Sequence, residues 1–459
     1  MIHRYQKKGL NFVLDVNSGA VHLLDDISYA VSGLLDENMG DTCPQSIIDA
    51  LTDYTADEIR EAYDELYELK KAGQLFAQDD YIDVSRYIPV NAPVKALCLH
   101  VAHDCNLRCQ YCFASTGDFG QGRKIMPPEI AKKAIDFVIA RSGVRHNIEV
   151  DFFGGEPLMA WDTVTQTVDY ARSLEEKYNK KFRFTITTNG LLLDEDKRKY
   201  INENMDNCVL SLDGRREVND EFRKTVAGTG SYDTIVPKFK ALVDERDPNL
   251  DYYARGTFTS HNLDFAEDVL SIADAGFDRL SVEPVTADPG CGYDLTEDDL
   301  PKIEAEYDRL TDIMLERKKE GKPFTFFHFM VDLDQGPCVV KRLRGCGAGY
   351  EYVAVTPDGD IYPCHQFVGK DEFKQGSVLD QSFNMDIAQK FAGMNIYSRP
   401  KCQKCWAKFY CSGGCSAANY NMNHDMNDSY DLGCEMERKR LECAIYLKAM
   451  DKICANQSK

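Results

Sequence analysis

The sequence has little of what a membrane, secreted or nucleic-acid-binding protein needs. No stretch approaches the roughly 18 consecutive apolar residues of a membrane-spanning helix. The first apolar stretch, Leu10–Val16, is short and contains Asn11 and Asp15, so we expect no signal peptide. The formal net charge of −21 provides no basic face for a nucleic-acid backbone. We therefore expect a cytoplasmic protein that binds neither a membrane nor a nucleic acid.

Cysteine, in contrast, is abundant, with 17 residues in a chain of 459. The cytosol keeps thiols reduced, so we do not expect disulfides. Three of the cysteines lie between Cys105 and Cys112, and nine lie between Cys338 and Cys443. Clustered cysteines in such a protein indicate metal ligands. The isolated ones are expected to be small buried apolar residues, namely Cys43, Cys98, Cys208 and Cys291.

The first region, residues 1–86, predicts a small winged-helix-like module. Two alternating apolar runs, Leu10–Val16 and Ala20–Leu24, flank a turn and predict a hairpin. Helical stretches follow, and Asp57–Ala72 has the best apolar face. A polar, proline-containing linker near Tyr87–Pro93 ends the module.

The second region, residues 94–320, alternates short apolar strands with amphipathic helices. Such alternation predicts a parallel sheet of βαβ units, and six units without a closing pair predict an open, partial (β/α)6 barrel. Ligands of such folds bind at the C-terminal ends of the strands. The predicted helices lie at about 128–141, 162–179, 194–204, 231–245 and 264–275. The predicted strands are Val94–Val101, Ile148–Phe153, Phe182–Thr188, Cys208–Leu212, Tyr252–Phe258 and Arg279–Val285.

The third region, residues 325–459, is dense in cysteine, has glycine-rich turns and ends in a helix after Asp431. Clustered cysteines in a loop-rich segment indicate that metal, rather than a hydrophobic core, organises the fold. Cys443 and Cys454 fall on the final helix, where a structural role is expected.

The loop after the first barrel strand carries Cys105, Cys109 and Cys112. A structural zinc site usually has four ligands, and this loop offers three. Three thiolates suit a 4Fe–4S cluster that keeps one iron open for a substrate or cofactor. A zinc loop is the alternative.

Polar residues and glycines follow the next strands. Gly154 and Gly155 allow close approach of a ligand, and Glu156 offers an acceptor for an ammonium group. Further polar candidates follow the later strands, namely Thr187, Asn189, Ser211, Asp213 and Arg223. For these residues the alternative is a turn or surface position, and for Tyr111 the alternative is a core aromatic.

The CxxxCxxC spacing, followed by Gly-Gly-Glu-Pro, resembles the radical S-adenosylmethionine (SAM) superfamily. The resemblance implies that the open iron binds SAM and that one electron cleaves it to a 5′-deoxyadenosyl radical. It also implies that Gly154, Gly155 and Glu156 contact the SAM amino group and that Tyr111 packs near the adenine. Ribose, amino-acid and carboxylate contacts are implied for Thr187, Asn189, Ser211, Asp213 and Arg223. An arginine suits bidentate carboxylate binding.

The C-terminal cysteines resemble a SPASM domain, which houses two auxiliary iron–sulfur clusters in peptide-modifying radical SAM enzymes. One implied cluster uses Cys402, Cys405, Cys411 and Cys434. The other uses Cys346, Cys364 and Cys415, with Cys338 as a permanent fourth ligand or one that a substrate thiolate displaces. Paired zinc ribbons are the alternative. The total would be three 4Fe–4S clusters.

His365 follows Cys364, where sulfatase-maturing relatives carry an aspartate that acts as a base. An imidazole can accept a proton at neutral pH, which makes His365 a candidate catalytic residue. A hydrogen bond that supports the cluster is the alternative role.

The whole chain resembles a radical SAM maturase of ribosomally made peptides, and in particular the SCIFF-peptide (ranthipeptide) maturases. The stretches that carry this resemblance are Met1–His3, Gly9–Asn11, Leu14–His22 and Tyr362–Gly369. The resemblance implies thioether formation between a peptide cysteine and an unactivated carbon, typically of threonine. The implied partners are a cysteine-rich precursor peptide, whose leader adds to a sheet edge of the N-terminal module, and a flavodoxin- or ferredoxin-like reductant. The alternatives are an anaerobic sulfatase-maturing enzyme and a zinc-bearing protein that binds peptides without chemistry.

Overall fold

The computed structural model describes residues 1–83, 92–334 and 339–457. The predicted linker near Tyr87–Pro93 therefore lies mostly outside the described residues. Cys338 also lies outside them.

The N-terminal module is an antiparallel sheet followed by helices. Strand β2 lies between β1 and β3, and the predicted hairpin corresponds to β2 and β3. The longest helix begins at a capping box, in which Thr55 and Glu58 satisfy each other's backbone N–H groups. The elements are β1 (Ile2–Lys7), β2 (Leu10–Asp15), β3 (Val21–Leu24), α1 (Asp26–Ser32), α2 (Gln45–Ala50) and α3 (Ala56–Lys71).

The middle of the chain forms a parallel sheet with helices between its strands, which confirms the predicted α/β class. The strands follow the order β4-β6-β7-β8-β9-β10 across the sheet, and β5 pairs with β4. The strands are β4 (Ala96–His103), β5 (Lys124–Ile125), β6 (Asn147–Gly154), β7 (Lys181–Thr188), β8 (Asn207–Ser211), β9 (Asp251–Phe258) and β10 (Arg279–Pro284). The helices are α4 (Pro128–Arg141), α5 (Trp161–Tyr178), α6 (Glu195–Asn204), α7 (Arg216–Phe222), α8 (Tyr232–Asp244), α9 (Phe265–Asp274) and α10 (Leu300–Lys319).

The C-terminal region continues the same sheet. Strand β12 pairs in parallel with β4, from Tyr352 beside Ala96 to Val355 beside Leu99. A short strand, β11, pairs with β10 at the other side. The strands are β11 (Thr325–Phe326), β12 (Tyr352–Val355), β13 (Asp360–Tyr362), β14 (Gly376–Ser377) and β15 (Ser382–Phe383). The helices are α11 (Val339–Arg344), α12 (Met385–Gly393), α13 (Pro400–Gln403), α14 (Lys408–Cys411), α15 (Ser416–Asn423) and α16 (Asp431–Gln457).

The C-terminal region packs around an apolar cluster that it shares with Cys98 and Phe119 of the barrel, so the expectation that metal rather than a hydrophobic core organises it is wrong. Phe367, Phe373 and Phe391 are buried together, beside Tyr362 and Ala392. Burial of such aromatic rings contributes on the order of 1.5–3 kcal/mol for each side chain. The cysteines of this region therefore sit on a framework that apolar packing stabilises.

The N-terminal module packs against the C-terminal helix α16. Phe12 and Leu14 of β2 are fully buried in a cluster with Ile445 and Tyr446 of α16. At its edge, the His3 ring stacks on Trp406 with centroids 3.8 Å apart. The sheet is therefore buried on one face by its own helices and on the other by the rest of the protein.

The isolated cysteines have different environments. Cys98 and Cys208 are buried in the barrel, as expected, and Cys443 is buried on α16. Cys291 is exposed, so its predicted burial is wrong, and Cys43 is only partly buried. Across the described parts of the chain, no helix is long and apolar enough to span a membrane.

Candidate active site and auxiliary metal centres

One cavity of about 220 Å³ lies at the C-terminal ends of the barrel strands. It brings together side chains that are far apart in the sequence, from the cysteine loop after β4 to the segment after β13. The predicted site residues that line it are Cys105, Cys109, Tyr111, Cys112, Gly154, Gly155, Glu156, Thr187, Asn189, Ser211, Arg223 and His365.

The three-cysteine loop directs hydrogen-bond donors at its sulfur atoms. The Cys105 Sγ atom accepts from the Leu107 N–H at 3.4 Å and from the Asn189 Nδ2 atom at 3.5 Å. Burial raises the pKa of Cys105 and of Cys109 to about 12 each, because a buried thiolate loses its hydration. Thiolates here need a cationic partner, and iron supplies one. The donor set thus fits a cluster with three protein ligands.

Two glycines let this loop lie against strand β6. A Cβ atom on Gly155 would come within 2.1 Å of the Asp104 carbonyl oxygen. One on Gly154, whose φ is +126°, would come within 2.2 Å of the Ala102 carbonyl oxygen. A side chain on Gly155 would push the cysteine loop away from β6, and one on Gly154 would push β6 away from β4.

Glu156 lies in the wall of the cavity and is almost fully buried. Its carboxylate accepts hydrogen bonds from the Leu158 N–H at 3.0 Å, the Thr188 hydroxyl at 2.7 Å and the Asn189 N–H at 2.8 Å. Burial raises its pKa to about 7, and these bonds oppose the shift. A carboxylate has about four lone-pair positions, so one acceptor position remains for an ammonium group.

Arg223 lines the same cavity and has one unsatisfied donor. Its Nη2 atom lies 3.0 Å from the Asp213 carboxylate, and its guanidinium lies over the Tyr111 ring. Its Nε atom is buried and has no hydrogen-bond partner among the described residues. An orphaned guanidinium donor is suited to a carboxylate ligand.

Asp213 does not reach the cavity lining. It is fully buried, and its carboxylate accepts from the Tyr111 hydroxyl at 2.6 Å and from the Thr257 N–H at 3.0 Å. Its geometry is that of a residue that holds Tyr111 and Arg223 in place. The direct ligand contact that the family resemblance implies for it stays a prediction.

His365 lines the cavity beside Phe113 and Phe153. Its Nδ1 atom lies 3.2 Å from the Tyr352 hydroxyl. Burial lowers its pKa to about 4, so the imidazole is neutral near pH 7. It reaches the cavity because the β12–β13 hairpin extends the barrel sheet.

Sequence reasoning missed residues from the last two barrel strands. Arg255 and Thr257 of β9 and Glu283 of β10 line the cavity, and the Arg255 Nε atom lies 3.1 Å from the Glu283 carboxylate. His328 lies behind the pair, and its Nδ1 atom is 3.2 Å from an Arg440 nitrogen. Polar residues near the ends of predicted parallel strands were the signal that could have found them.

A second cavity, of about 60 Å³, is lined by all four cysteines of the quartet Cys402, Cys405, Cys411 and Cys434. Helices α13, α14 and α16 bring them together. Burial raises the pKa of Cys434 to about 11 and raises that of Cys411 further. Four thiols around one small cavity, of which Cys402 is buried and the others are partly buried, fit a four-thiolate cluster.

The remaining trio, Cys346, Cys364 and Cys415, also meets in space. The Cys364 thiol lies within electrostatic range of those of Cys415 and Cys346. Cys364 is buried, and the other two are exposed. Because His365 follows Cys364, the trio adjoins the main cavity.

Two family models match the chain. Residues 99–251 match the radical SAM superfamily, and residues 346–406 match the iron–sulfur cluster-binding SPASM domain. The chain therefore contains a radical SAM domain followed by a SPASM domain. Together they imply SAM and iron–sulfur clusters as cofactors.

Known proteins resemble the chain over most of its length. It is 25% identical over 354 residues to a cysteine-type anaerobic sulfatase-maturating enzyme of Clostridium novyi, a match that covers 72% of this chain and 90% of the relative. The structure of anSMEcpe with bound AdoMet and the Kp18Cys peptide has a TM-score of 0.63 at 21% identity, over 78% of this chain and 99% of that one. The structure of Streptococcus suis SuiB bound to the precursor peptide SuiA has a TM-score of 0.52 at 17% identity, and the match covers 93% of this chain and 97% of that one. These structural likenesses show the fold, and they confirm the predicted radical SAM fold.

Proposed function

We propose that this protein is a radical SAM enzyme that installs thioether cross-links, from cysteine to an unactivated carbon typically of threonine, in a cysteine-rich precursor peptide. The observation that carries the proposal is the shared cavity. The three-cysteine loop and His365, the residue after Cys364, line the same 220 Å³ space. A radical formed at the first centre would arise beside a target held near the second.

The bound cofactors would supply the 5′-deoxyadenosyl radical at the first centre and accept the surplus electron at an auxiliary centre. Glu156 would take the SAM ammonium group on its remaining acceptor position. Arg223, which lines the same cavity, would donate a guanidinium N–H to the SAM carboxylate. Both side chains are fixed by other bonds before the ligand arrives, so little ordering is needed on binding.

The substrate would occupy the part of the cavity formed by β9, β10 and His365. Arg255 and Glu283 offer a donor and an acceptor side by side, which matches the C=O and N–H groups of a peptide backbone. The neutral His365 imidazole would accept a hydrogen bond from the attacking thiol, and its lowered pKa of about 4 makes it a weak proton acceptor.

Oxidation of a cysteine or serine to formylglycine is the second candidate, and the resemblance to a sulfatase-maturating enzyme supports it. The two reactions leave different products. A thioether retains the sulfur and loses two hydrogen atoms, whereas formylglycine formation from cysteine loses the sulfur.

Mass spectrometry distinguishes these products. Anaerobic incubation with SAM, a reductant and a synthetic cysteine-rich precursor is expected to remove two hydrogens and to block one thiol against alkylation. Loss of sulfur from the product would replace the thioether proposal with the formylglycine one.

We expect the leader of the peptide to add a strand to the edge of β3. This strand has only partly buried or exposed residues, and Leu23 is 42% exposed. Strand β2 is already paired on both sides, whereas β3 pairs with β2 alone among the described residues. An edge strand with an exposed apolar side chain suits strand addition.

Leu23→Asp is expected to weaken peptide binding at least tenfold, which corresponds to about 1.4 kcal/mol. The charge would be desolvated beneath the leader, and an apolar contact would be lost. Fluorescence anisotropy with a labelled leader measures this change, and SAM cleavage without peptide should stay near the wild-type rate. Val144→Asp, on a fully exposed apolar residue of the barrel, is the matched control.

Equal affinities of the two variants would exclude the β3 edge as the leader site. A point substitution is the better test, because deletion of the module would expose Ile445 and Tyr446, which pack against it.

A further inference from the structure

Arg399 is a buried cation without a carboxylate partner. It is 3% exposed, and it forms no ion pair within the described ranges of the chain. Its Nη1 atom donates to the Gly413 carbonyl at 2.5 Å, and its Nη2 atom donates to the Ser416 hydroxyl at 3.0 Å. Its Nε atom is buried and has no partner there. Burying such a charge is costly unless negative charge lies nearby.

The guanidinium binds the segment that joins the two auxiliary centres. Gly413 lies between Cys411 of the quartet and Cys415 of the trio, and Ser416 directly follows Cys415. A Cβ atom on Gly413, whose φ is +89°, would come within 2.0 Å of the Arg399 Nη1 atom. Gly413 thus leaves room for the Arg399 guanidinium beside the segment that joins the two sets of cysteines.

Both sets of thiols lie within electrostatic range of Arg399. Cys402 and Cys411 belong to the quartet, and Cys346 and Cys415 belong to the trio. The negative charge that a buried guanidinium needs would therefore come from both iron–thiolate centres.

Other cations near the quartet are already neutralised. Lys408 pairs with Asp79 at 2.7 Å, Lys401 pairs with Asp431 at 2.8 Å, and Arg438 pairs with Glu435. Arg399 differs from these three because no carboxylate compensates its charge.

We infer that Arg399 is a positioning residue shared by the two auxiliary centres, where its uncompensated charge raises both reduction potentials and makes electron uptake easier. The inference rests on the proposed function, since it requires two auxiliary clusters. A cation stabilises the reduced cluster, which carries one more negative charge, and low local polarity strengthens the effect.

Arg399→Gln is expected to lower the midpoint potentials of both auxiliary clusters by at least the equivalent of a tenfold change in the reduction equilibrium, about 59 mV for one electron. Arg399→Lys keeps the charge and should remain closer to the wild type. Arg438→Gln is the matched control, and it should move the potential of the quartet's cluster alone. Redox titration followed by EPR measures all three variants, with iron content determined in parallel.

Unchanged midpoint potentials in an Arg399→Gln protein with full iron would overturn the inference. If that variant loses iron, Ser416→Asp decides, because it places a carboxylate beside Arg399. A fall in both potentials supports a shared charge, and a fall for the trio's cluster alone overturns it. A wild-type protein without auxiliary iron would instead refute the proposed function, so the two failures are distinct.

Discussion

Replacement of Cys105, Cys109 and Cys112 by alanine is expected to abolish reductive formation of 5′-deoxyadenosine. The three thiols line the cavity at the end of β4, and the loop offers no other cysteine to hold a cluster there. Without the cluster, SAM has neither its iron nor its electron donor. Liquid chromatography of anaerobic reactions with dithionite should show no product above the enzyme-free background.

The auxiliary iron should survive in this triple variant. The quartet surrounds a separate cavity built from α13, α14 and α16, and none of the three loop cysteines lines it. About eight of the twelve irons expected for three 4Fe–4S clusters should remain. Cys291→Ala, at an exposed and isolated cysteine, is the control and should keep full cleavage. Substantial cleavage by the triple variant would refute the assignment of the loop.

Loss of the quartet is the second large effect that we expect. The reconstituted wild type should bind about twelve irons per chain, and Cys402→Ala combined with Cys405→Ala should bind about eight. Peptide modification should fall below detection, whereas 5′-deoxyadenosine should still form without peptide. Iron and sulfide analysis together with Mössbauer spectra measures these changes. Because metal binding contributes to folding, the melting temperature should also fall.

An iron content near four per wild-type chain would contradict the presence of the two auxiliary clusters. Full iron content in the double variant would instead show that Cys402 and Cys405 are not ligands. The Cys443→Ala variant is a suitable control, since this buried cysteine lies on α16 outside the quartet's cavity.

Much of the barrel could be predicted from the sequence because its signals are local. The helix predicted at 128–141 is α4, Pro128–Arg141, and the strand predicted at Phe182–Thr188 lies within β7, Lys181–Thr188. Apolar periodicity along a short segment reports which face of that segment is buried. The cysteine spacings are similarly local. The spacing indicates the three-cysteine loop, and the resemblance to a SPASM domain implies the quartet.

The ion pair that joins β9 to β10 at the cavity was not predictable in this way. Arg255 and Glu283 are ordinary charged residues in sequence, and their pairing depends on the register of two parallel strands. Asp213 presents the opposite case. Its position after β8 indicated a ligand contact, but the fold turns its carboxylate towards Tyr111 and Arg223.

The sequence by itself determined the α/β alternation, the cysteine-rich C-terminal region and about half of the residues that line the cavity. Only the tertiary structure decided that β12 would pair with β4, about 250 residues earlier in the chain, and so bring His365 to the three-cysteine loop. It also decided that the N-terminal sheet would pack on α16. The physical reason is that a strand edge or an apolar helix face can accept many partners. The choice among them depends on the free energy of the whole folded chain, which no local pattern records.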